Sequence, residues 1–257
     1  MYSSEITSDT NTRPMKRFNF LRKAAVIFLC AFCFVQGTTD VKAQAYDENF
    51  LLGKTNYSQD ARFVKLPANQ TVSSERSYYL LKEVADSLSR MIQAAKKEGI
   101  SIRVISASRN FTDQKFIWER KYEARKSKFR TEAELAADIL KYSSMPGTSR
   151  HHWGTDFDIN SLEPAYYTTG KGAKEYAWMK AHAGEYGFCQ VYNNKVNRTG
   201  YNDEPWHWSF MPLSSQLLKM YVESVSYQDI TGFKGSTSAL EIEVIRNYVQ
   251  GISSDCP

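Results

Sequence analysis

Residues 149–158 read SRHHWGTDFD and residues 204–208 read EPWHW, and together they hold three of the four histidines of the 257-residue chain. Two imidazoles and a carboxylate from different segments are a usual set of protein ligands for a catalytic zinc ion. A further carboxylate beside such a set can act as a general base towards water. These two stretches are therefore the candidate reactive centre, and each leads into a predicted strand.

The alternation of side chains within the two strands separates polar from apolar groups. In the strand over residues 157–159 the middle residue, Asp158, points away from its apolar neighbours. In the strand over residues 204–210, His207 faces opposite to the two tryptophans beside it. A metal site is one interpretation. The alternatives are a hydrogen-bonded structural histidine, a solvated turn at the histidine pair, and plain packing of the tryptophans.

Helices and strands are interspersed along the rest of the chain, which predicts one α+β domain. We expect a small, mainly antiparallel sheet with flanking helices and the zinc site in a surface cleft. No glycine-rich phosphate loop follows a predicted strand, which argues against a dinucleotide-binding fold. Apolar periodicity and turn residues place the elements. Helices are predicted from Ser73 or Ser74 to Lys97 and over Asp113–Arg125, Glu132–Tyr142, Lys174–Tyr186, Ser214–Ser224 and Ser238–Gln250, and strands over Ile100–Ala107, Phe157–Ile159 and Glu204–Phe210.

Three motifs follow one another along the chain. They are Ser-Ala-Ser-Arg at residues 106–109 followed by Gln114, the spacing of Ser149, His151, Gly154 and Asp158, and Glu204 followed by His207. In type and in order they resemble the motifs of the VanY-type D-alanyl-D-alanine carboxypeptidases. This family belongs to a wider group that includes lysostaphin, the D-Ala-D-Ala peptidases and the hedgehog signalling domain. The resemblance spans roughly residues 75 to 212.

The resemblance implies a role for each of these residues. His151, Asp158 and His207 would be the ligands of one Zn²⁺ ion per chain. Glu204 would be the general base towards the water that the metal activates, and it would then pass the proton to the leaving amine.

Three further residues are implied to act on the substrate. Arg109 would either stabilise the developing oxyanion or hold the free carboxylate of the substrate, and the sequence leaves both roles open. Gln114 and Ser149 would help to fix the C-terminal end of the substrate.

The chain also departs from the family pattern. Asp156 stands where the family usually has a small residue such as Ala. It could orient a ligand side chain, act as an alternative ligand, or face water. His152 is expected to point away from a metal held by His151. Ala107 and Ser108 replace the family's Gly-Tyr, which alters the predicted substrate pocket.

The N-terminal region predicts a signal peptide over residues 1–43. A basic stretch precedes an unbroken apolar run of 12 residues, Ala24 to Val35, and small-x-small patterns follow. A retained anchor is the alternative, although a membrane span needs about 20 apolar residues. Met15 is a second candidate for the start of the chain. Residues 44–72 are predicted as an extended arm, and residues 73–257 as the zinc peptidase domain with its C-terminal helices.

Export fits the cysteines and the charge. Outside the predicted signal only Cys189 and Cys256 remain, which could form one disulfide or stay as two thiols. The signal carries six basic and three acidic residues, so its removal lowers the net charge from +5 to +2. Such a charge gives no reason to expect nucleic acid as a partner.

The predicted function is that of an exported, periplasmic or extracellular, zinc metallopeptidase. It would remove a C-terminal D-Ala from peptidoglycan stem peptides, which are its expected partners. We expect a monomer with no stable membrane span after signal removal. The alternatives are an endopeptidase of the same group and a non-catalytic zinc-containing binding domain.

Overall fold

A four-stranded antiparallel sheet lies at the centre of the computed structural model, which describes residues 46–194 and 198–257. The strands are β1 (Phe63–Lys65), β2 (Tyr79–Leu81), β3 (Val104–Ser106), β4 (Asp156–Ile159), β5 (Phe188–Cys189) and β6 (His207–Phe210). The central sheet has the order β3-β4-β6-β5, and β1 and β2 form a separate antiparallel pair. All of these strand pairs are antiparallel.

Helices flank this sheet, which confirms the predicted α+β class. The described residues form α1 (Glu48–Leu51), α2 (Lys82–Lys97), α3 (Phe111–Arg125), α4 (Glu132–Ile139), α5 (Gly170–His182) and α6 (Met211–Ser224). Helices α3, α4, α5 and α6 agree with the predicted helices to within a few residues at each end. Local chemistry explains such boundaries: α4 begins at a capping box in which Thr131 and Glu134 bond each other's backbone N–H groups.

Helix α2 confirms its predicted C-terminal end but begins later than predicted. Its buried side chains recur at three- and four-residue steps, and the helix ends two residues before Gly99, whose φ is +77°. The predicted start at Ser73 or Ser74 is wrong, because residues 79–81 pair with β1 instead of entering the helix. The apolar side chains that this helix buries are those of Val84, Ala85, Leu88, Met91 and Ala95.

The C-terminal segment is also less regular than predicted. In place of one helix over Ser238–Gln250, a 3-10 turn covers Ser236–Ala239 and a π-helical turn covers Ile245–Val249. Glu243 separates them with a φ of +49°. A side chain at positive φ does not continue a right-handed helix, so the apolar spacing here cannot be realised as a single helix.

Residues 46–72 differ from the predicted extended arm. Phe50, Leu51 and Leu52 are each no more than 1% exposed, so this segment packs into the core. The Asp47 carboxylate accepts a hydrogen bond from the Phe50 N–H at 2.8 Å and so caps α1. The described residues, 46–194 and 198–257, all belong to one compact unit.

The predicted signal peptide, residues 1–43, lies outside the described residues. Within the part of the chain that the structure describes, no helix combines the length and the apolar character needed to cross a membrane.

A disulfide joins Cys189 of β5 to Cys256 near the C-terminus. Of the two alternatives that the sequence left open, the bridge is the one observed. It ties the end of the chain to the edge strand of the central sheet across a separation of 67 residues.

Replacing both cysteines by serine should therefore lower the free energy of unfolding by about 2 to 5 kcal/mol, since the bridge restricts the unfolded chain. Urea denaturation of wild type and Cys189→Ser/Cys256→Ser measures this. Wild type treated with a thiol reductant is the control and should match the double variant. Equal unfolding midpoints with and without the bridge would contradict the expectation.

Candidate active site

The pairing of β4 with β6 sets the positions of two predicted ligands. Asp158 lies directly opposite His207, and the apolar pair Phe157 and Trp208 lies next to them in the register. Because successive strand side chains point to opposite faces, the carboxylate and the imidazole share one face and the aromatic pair takes the other. The alternation predicted from the sequence is thus realised.

The third predicted ligand, His151, enters from a 3-10 turn over Arg150–Trp153, which ends at Gly154. Gly154 has a φ of +71°, and a Cβ at this position would lie 2.4 Å from the Phe63 ring. A glycine is therefore required where the chain leaves the turn and enters β4. This sharp connection brings His151 back over the strand that carries Asp158.

The structure brings His151, Asp158 and His207 together. Their candidate ligand atoms all lie within 4.8 Å of one another. His151 Nε2 is 3.4 Å from Asp158 Oδ2, and His207 Nδ1 is 3.1 Å from Asp158 Oδ1. The three side chains are at most 5% exposed. Two imidazoles and one carboxylate at this spacing fit a divalent cation, and residues 46–194 and 198–257 contain this one such cluster.

A backbone carbonyl orients the first imidazole. His151 Nδ1 lies 2.8 Å from Ala107 O, where an N–H on Nδ1 donates a hydrogen bond. The lone pair is then on Nε2, the nitrogen that faces Asp158. Burial, with the nearby Arg109 guanidinium, lowers the pKa of His151, so this imidazole is neutral at pH 7.

The other two members of the cluster stabilise each other's charged forms. Burial acts to lower the pKa of His207, but the carboxylates of Asp156 and Asp158 outweigh it and raise the pKa to about 9. Burial acts to raise the pKa of Asp158, but His151 and His207 outweigh it and hold that pKa below its ordinary value. The carboxylates beside His207 therefore favour a positive charge at this cluster.

Glu204, the predicted general base, borders this cluster. Its side chain is 8% exposed, and its Oε2 lies 3.7 Å from His207 Nδ1. The Glu204 N–H donates to Tyr192 O at 2.8 Å, which fixes the backbone ahead of β6. Burial raises the pKa of Glu204 to about 8, and the charge of Asp158 adds to that rise.

Arg109 follows β3 and is joined to the histidine turn by its backbone. Its N–H donates to His151 O at 3.1 Å. Its guanidinium acts to lower the pKa of both Glu204 and His151, so its charge reaches the cluster. The buried Nε of Arg109 has no hydrogen-bond partner in the described part of the chain. The charge and this donor are available to a ligand.

His152 lies beside a predicted ligand but takes a different role. Its Nδ1 is 2.6 Å from Arg109 O, and its Nε2 accepts a hydrogen bond from the Gly147 N–H at 3.0 Å. Burial lowers the pKa of His152 to about 3, so the ring is neutral with its proton on Nδ1. Both nitrogens are occupied, and the ring joins the backbone of Arg109 to the loop before the histidine turn.

Gln114 and Ser149, predicted to hold the end of the substrate, are both 1% exposed. Gln114 Nε2 donates to Ser144 O at 2.7 Å, so α3 is tied to the loop that leads to Ser149. Gln114 Oε1 and Ser149 Oγ have no hydrogen-bond partner among residues 46–194 and 198–257. Since buried polar atoms are normally satisfied, both are candidates to meet a ligand.

The sequence did not single out two buried residues, one that pairs with Asp156 and one that packs against His207. Arg150 is fully buried and forms an ion pair with Asp156, and the Tyr192 ring lies 4.6 Å from the His207 ring between centroids. The sequence does contain a signal for Arg150. It lies within the histidine segment, and a cation buried there would need a carboxylate partner such as Asp156. Tyr192 carried no local signal, since the fold of a loop brings it to His207.

Comparison with known proteins gives a consistent result. A family model described as VanY, D-alanyl-D-alanine carboxypeptidase, matches residues 77–213, which is more than half of the chain. The YodJ protein of Bacillus subtilis (strain 168), named as a candidate carboxypeptidase, is 33% identical over 140 residues, or 52% of this chain and 46% of that protein. A D-alanyl-D-alanine carboxypeptidase of Enterococcus faecalis (strain ATCC 700802 / V583) is 27% identical over 147 residues, which cover 57% of this chain and 53% of that protein.

A solved structure of the LdcB LD-carboxypeptidase is 26% identical, with 65% of this chain and 79% of that chain covered and a TM-score of 0.49. The chain spans about half the length of the curated relatives named above. The family match contains all three motifs and every predicted site residue from Arg109 to His207. The chain belongs to the VanY D-alanyl-D-alanine carboxypeptidase family.

Proposed function

We propose that the chain is an exported zinc-dependent carboxypeptidase that removes a C-terminal D-Ala from peptidoglycan stem peptides. The observation that carries this proposal is the buried set of His151, Asp158 and His207 with Glu204 at its border. A purely structural metal site has no need of a carboxylate beside its ligands. Family membership supports peptide hydrolysis, and the names of the curated relatives support a substrate that ends in D-Ala.

The ligand atoms would be His151 Nε2, a carboxylate oxygen of Asp158 and His207 Nδ1, because these atoms face one another. Three protein ligands leave a coordination position open, as catalytic zinc sites require. Bound there, Zn²⁺ supplies Lewis acidity to the scissile carbonyl and makes water a better nucleophile near neutral pH.

Glu204 is suited to move the proton. Its pKa of about 8 arises from burial beside Asp158, and a cation held by the ligand set favours its ionised form. The ionised carboxylate accepts a proton from the attacking water, and the resulting acid delivers that proton to the nitrogen of the leaving D-alanine. A carboxyl group whose pKa lies near the working pH can both accept a proton and donate it.

Arg109 would recognise charge on the substrate. Its backbone is fixed by His151 and His152, so the guanidinium is presented from a rigid turn. An arginine can bind a free carboxylate through two parallel hydrogen bonds, which selects the end of a peptide over its interior. The same charge also suits an oxyanion that develops at the carbonyl.

Export is supported by the Cys189–Cys256 disulfide. Structural disulfides form and persist in oxidising compartments outside the cytoplasm, where peptidoglycan also lies.

Purified protein should shorten defined pentapeptide muropeptides by one alanine, and a chelator should abolish this reaction until zinc is added back. Mass spectrometry of the products measures both effects. Internal fragments of the stem or cross-bridge would instead indicate an endopeptidase. A zinc-loaded protein that leaves every muropeptide intact would indicate a non-catalytic domain.

Replacing Glu204 by Gln should lower kcat/KM by roughly 10²- to 10⁴-fold, because the proton acceptor is lost while the shape of the side chain is kept. Zinc content should stay at that of wild type, since Glu204 is not one of the proposed ligands. The matched control is Glu185→Gln on the exposed side of the chain, which should leave both quantities unchanged. Equal activity of Glu204→Gln and wild type would remove Glu204 from the mechanism.

Replacing Arg109 by Met should lower kcat/KM by roughly 10²- to 10³-fold, the range for loss of one electrostatic contact to a transition state. Steady-state kinetics on stem peptides ending in a carboxylate or an amide separate the two roles. If Arg109 binds the carboxylate, wild type prefers the acid and the variant loses that preference. If it stabilises the oxyanion, both substrates lose kcat equally. Arg246→Met, at an exposed position, is the control, and an Arg109→Met protein with wild-type kinetics would contradict both roles.

A further inference from the structure

Asp156 occupies an unusual position for a charged side chain. It is 0% exposed, and four side chains surround its carboxylate. A buried carboxylate is costly unless its oxygens are hydrogen-bonded and its charge is paired, so each of these contacts has a consequence for the others. The contacts to Oδ1 are Thr155 Oγ1 at 2.6 Å and Ser209 Oγ at 2.9 Å, and those to Oδ2 are Arg150 Nε at 3.0 Å and His207 Nε2 at 2.9 Å.

Arg150 supplies the compensating charge. Its side chain is also fully buried, and its guanidinium lies over the Trp153 ring at 4.8 Å from the centroid. Besides Asp156, it donates from Nη2 to Ser209 Oγ at 2.6 Å. Ser209 thus contacts both charged partners, and the register of β4 with β6 places it directly opposite Asp156. The ion pair of Arg150 and Asp156 is therefore bonded to both β4 and β6.

The two nitrogens of His207 face different carboxylates. Nε2 meets Asp156, whereas Nδ1 meets Asp158 at 3.1 Å and Glu204 at 3.7 Å. Only Nδ1 is therefore on the side of the ligand cluster. A histidine that binds a metal is neutral, and in a neutral imidazole the hydrogen bond made by one nitrogen decides which nitrogen keeps the proton and which offers a lone pair. A carboxylate at Nε2 keeps the proton there and leaves the lone pair on Nδ1.

We propose that Asp156, paired with Arg150, is a positioning residue that fixes the tautomer and the ring orientation of His207 so that Nδ1 binds the metal. This inference rests on the proposed function, because it assumes that His207 is a zinc ligand. It also decides between the three alternatives for Asp156 that the sequence left open: Asp156 orients a ligand. The carboxylate additionally makes the imidazole a stronger donor to a metal.

The test is the zinc affinity of purified protein, measured by competition with a chromophoric chelator. Asp156→Asn should bind zinc roughly 10- to 100-fold more weakly than wild type, the range found when a hydrogen-bond partner of a metal ligand is lost. The matched control is Glu175→Gln, which alters another carboxylate that is 1% exposed and accepts hydrogen bonds from Asn160 and Tyr166. Its zinc affinity should equal that of wild type.

Asp156→Asn leaves the Arg150 charge buried without its partner and could fail to fold. The double variant Arg150→Gln/Asp156→Asn removes both charges together and should fold while still binding zinc more weakly. In zinc-loaded wild type, ¹⁵N NMR of the His207 ring should show the proton on Nε2, and in the double variant a second tautomer should appear. A merely structural role for Asp156 would leave this spectrum unchanged.

The outcomes separate the two proposals. If wild type binds zinc and the Asp156 variants bind it equally well with an unchanged His207 tautomer, the positioning role is wrong and the proposed function stands. If wild type itself does not bind zinc, the proposed function fails and the role of Asp156 fails with it.

Discussion

The antiparallel register between β4 and β6 is the constraint on which the site depends. It places Asp158 across from His207, and the strand period of two sends the aromatic pair beside them to the opposite face. A slip of one residue in either strand would turn the polar side chain of that strand to the apolar face, so the packing of the core and the geometry of the cluster enforce the same register. The turn that ends at Gly154 then brings His151 over the strand.

Charge compensation is the second requirement, because the cluster is almost completely removed from water. Asp156 is balanced by Arg150 and contacts Nε2 of His207, while Asp158 and Glu204 lie against Nδ1 of the same ring. Burial raises the pKa of Glu204, and the carboxylates of Asp156 and Asp158 raise the pKa of His207, so the carboxylates beside this imidazole favour a positive charge. A divalent cation would supply positive charge at this place, which links the electrostatics of the fold to the proposed chemistry.

The sequence predicted which residues come together better than it predicted the boundaries of the helices and strands. The grouping of His151, Asp158 and His207, the α+β class and the alternation in β4 and β6 followed from motifs and strand period. The start of α2 did not, because the apolar spacing begins before Lys82 and only pairing with β1 reveals a strand there. The prediction of a C-terminal helix was wrong, because nothing in the local sequence indicates that Glu243 has a positive φ. The role of Asp156 depends on Arg150 and Ser209, which tertiary packing brings together.

The central claim is that three named atoms bind one zinc ion. Anomalous diffraction at the zinc edge, from crystals of the purified protein grown with zinc, tests it most directly. The account predicts a single peak at about 2.0 to 2.2 Å from His151 Nε2, an Asp158 oxygen and His207 Nδ1. A peak held by other residues, or by Nε2 of His207 in place of Nδ1, would contradict it.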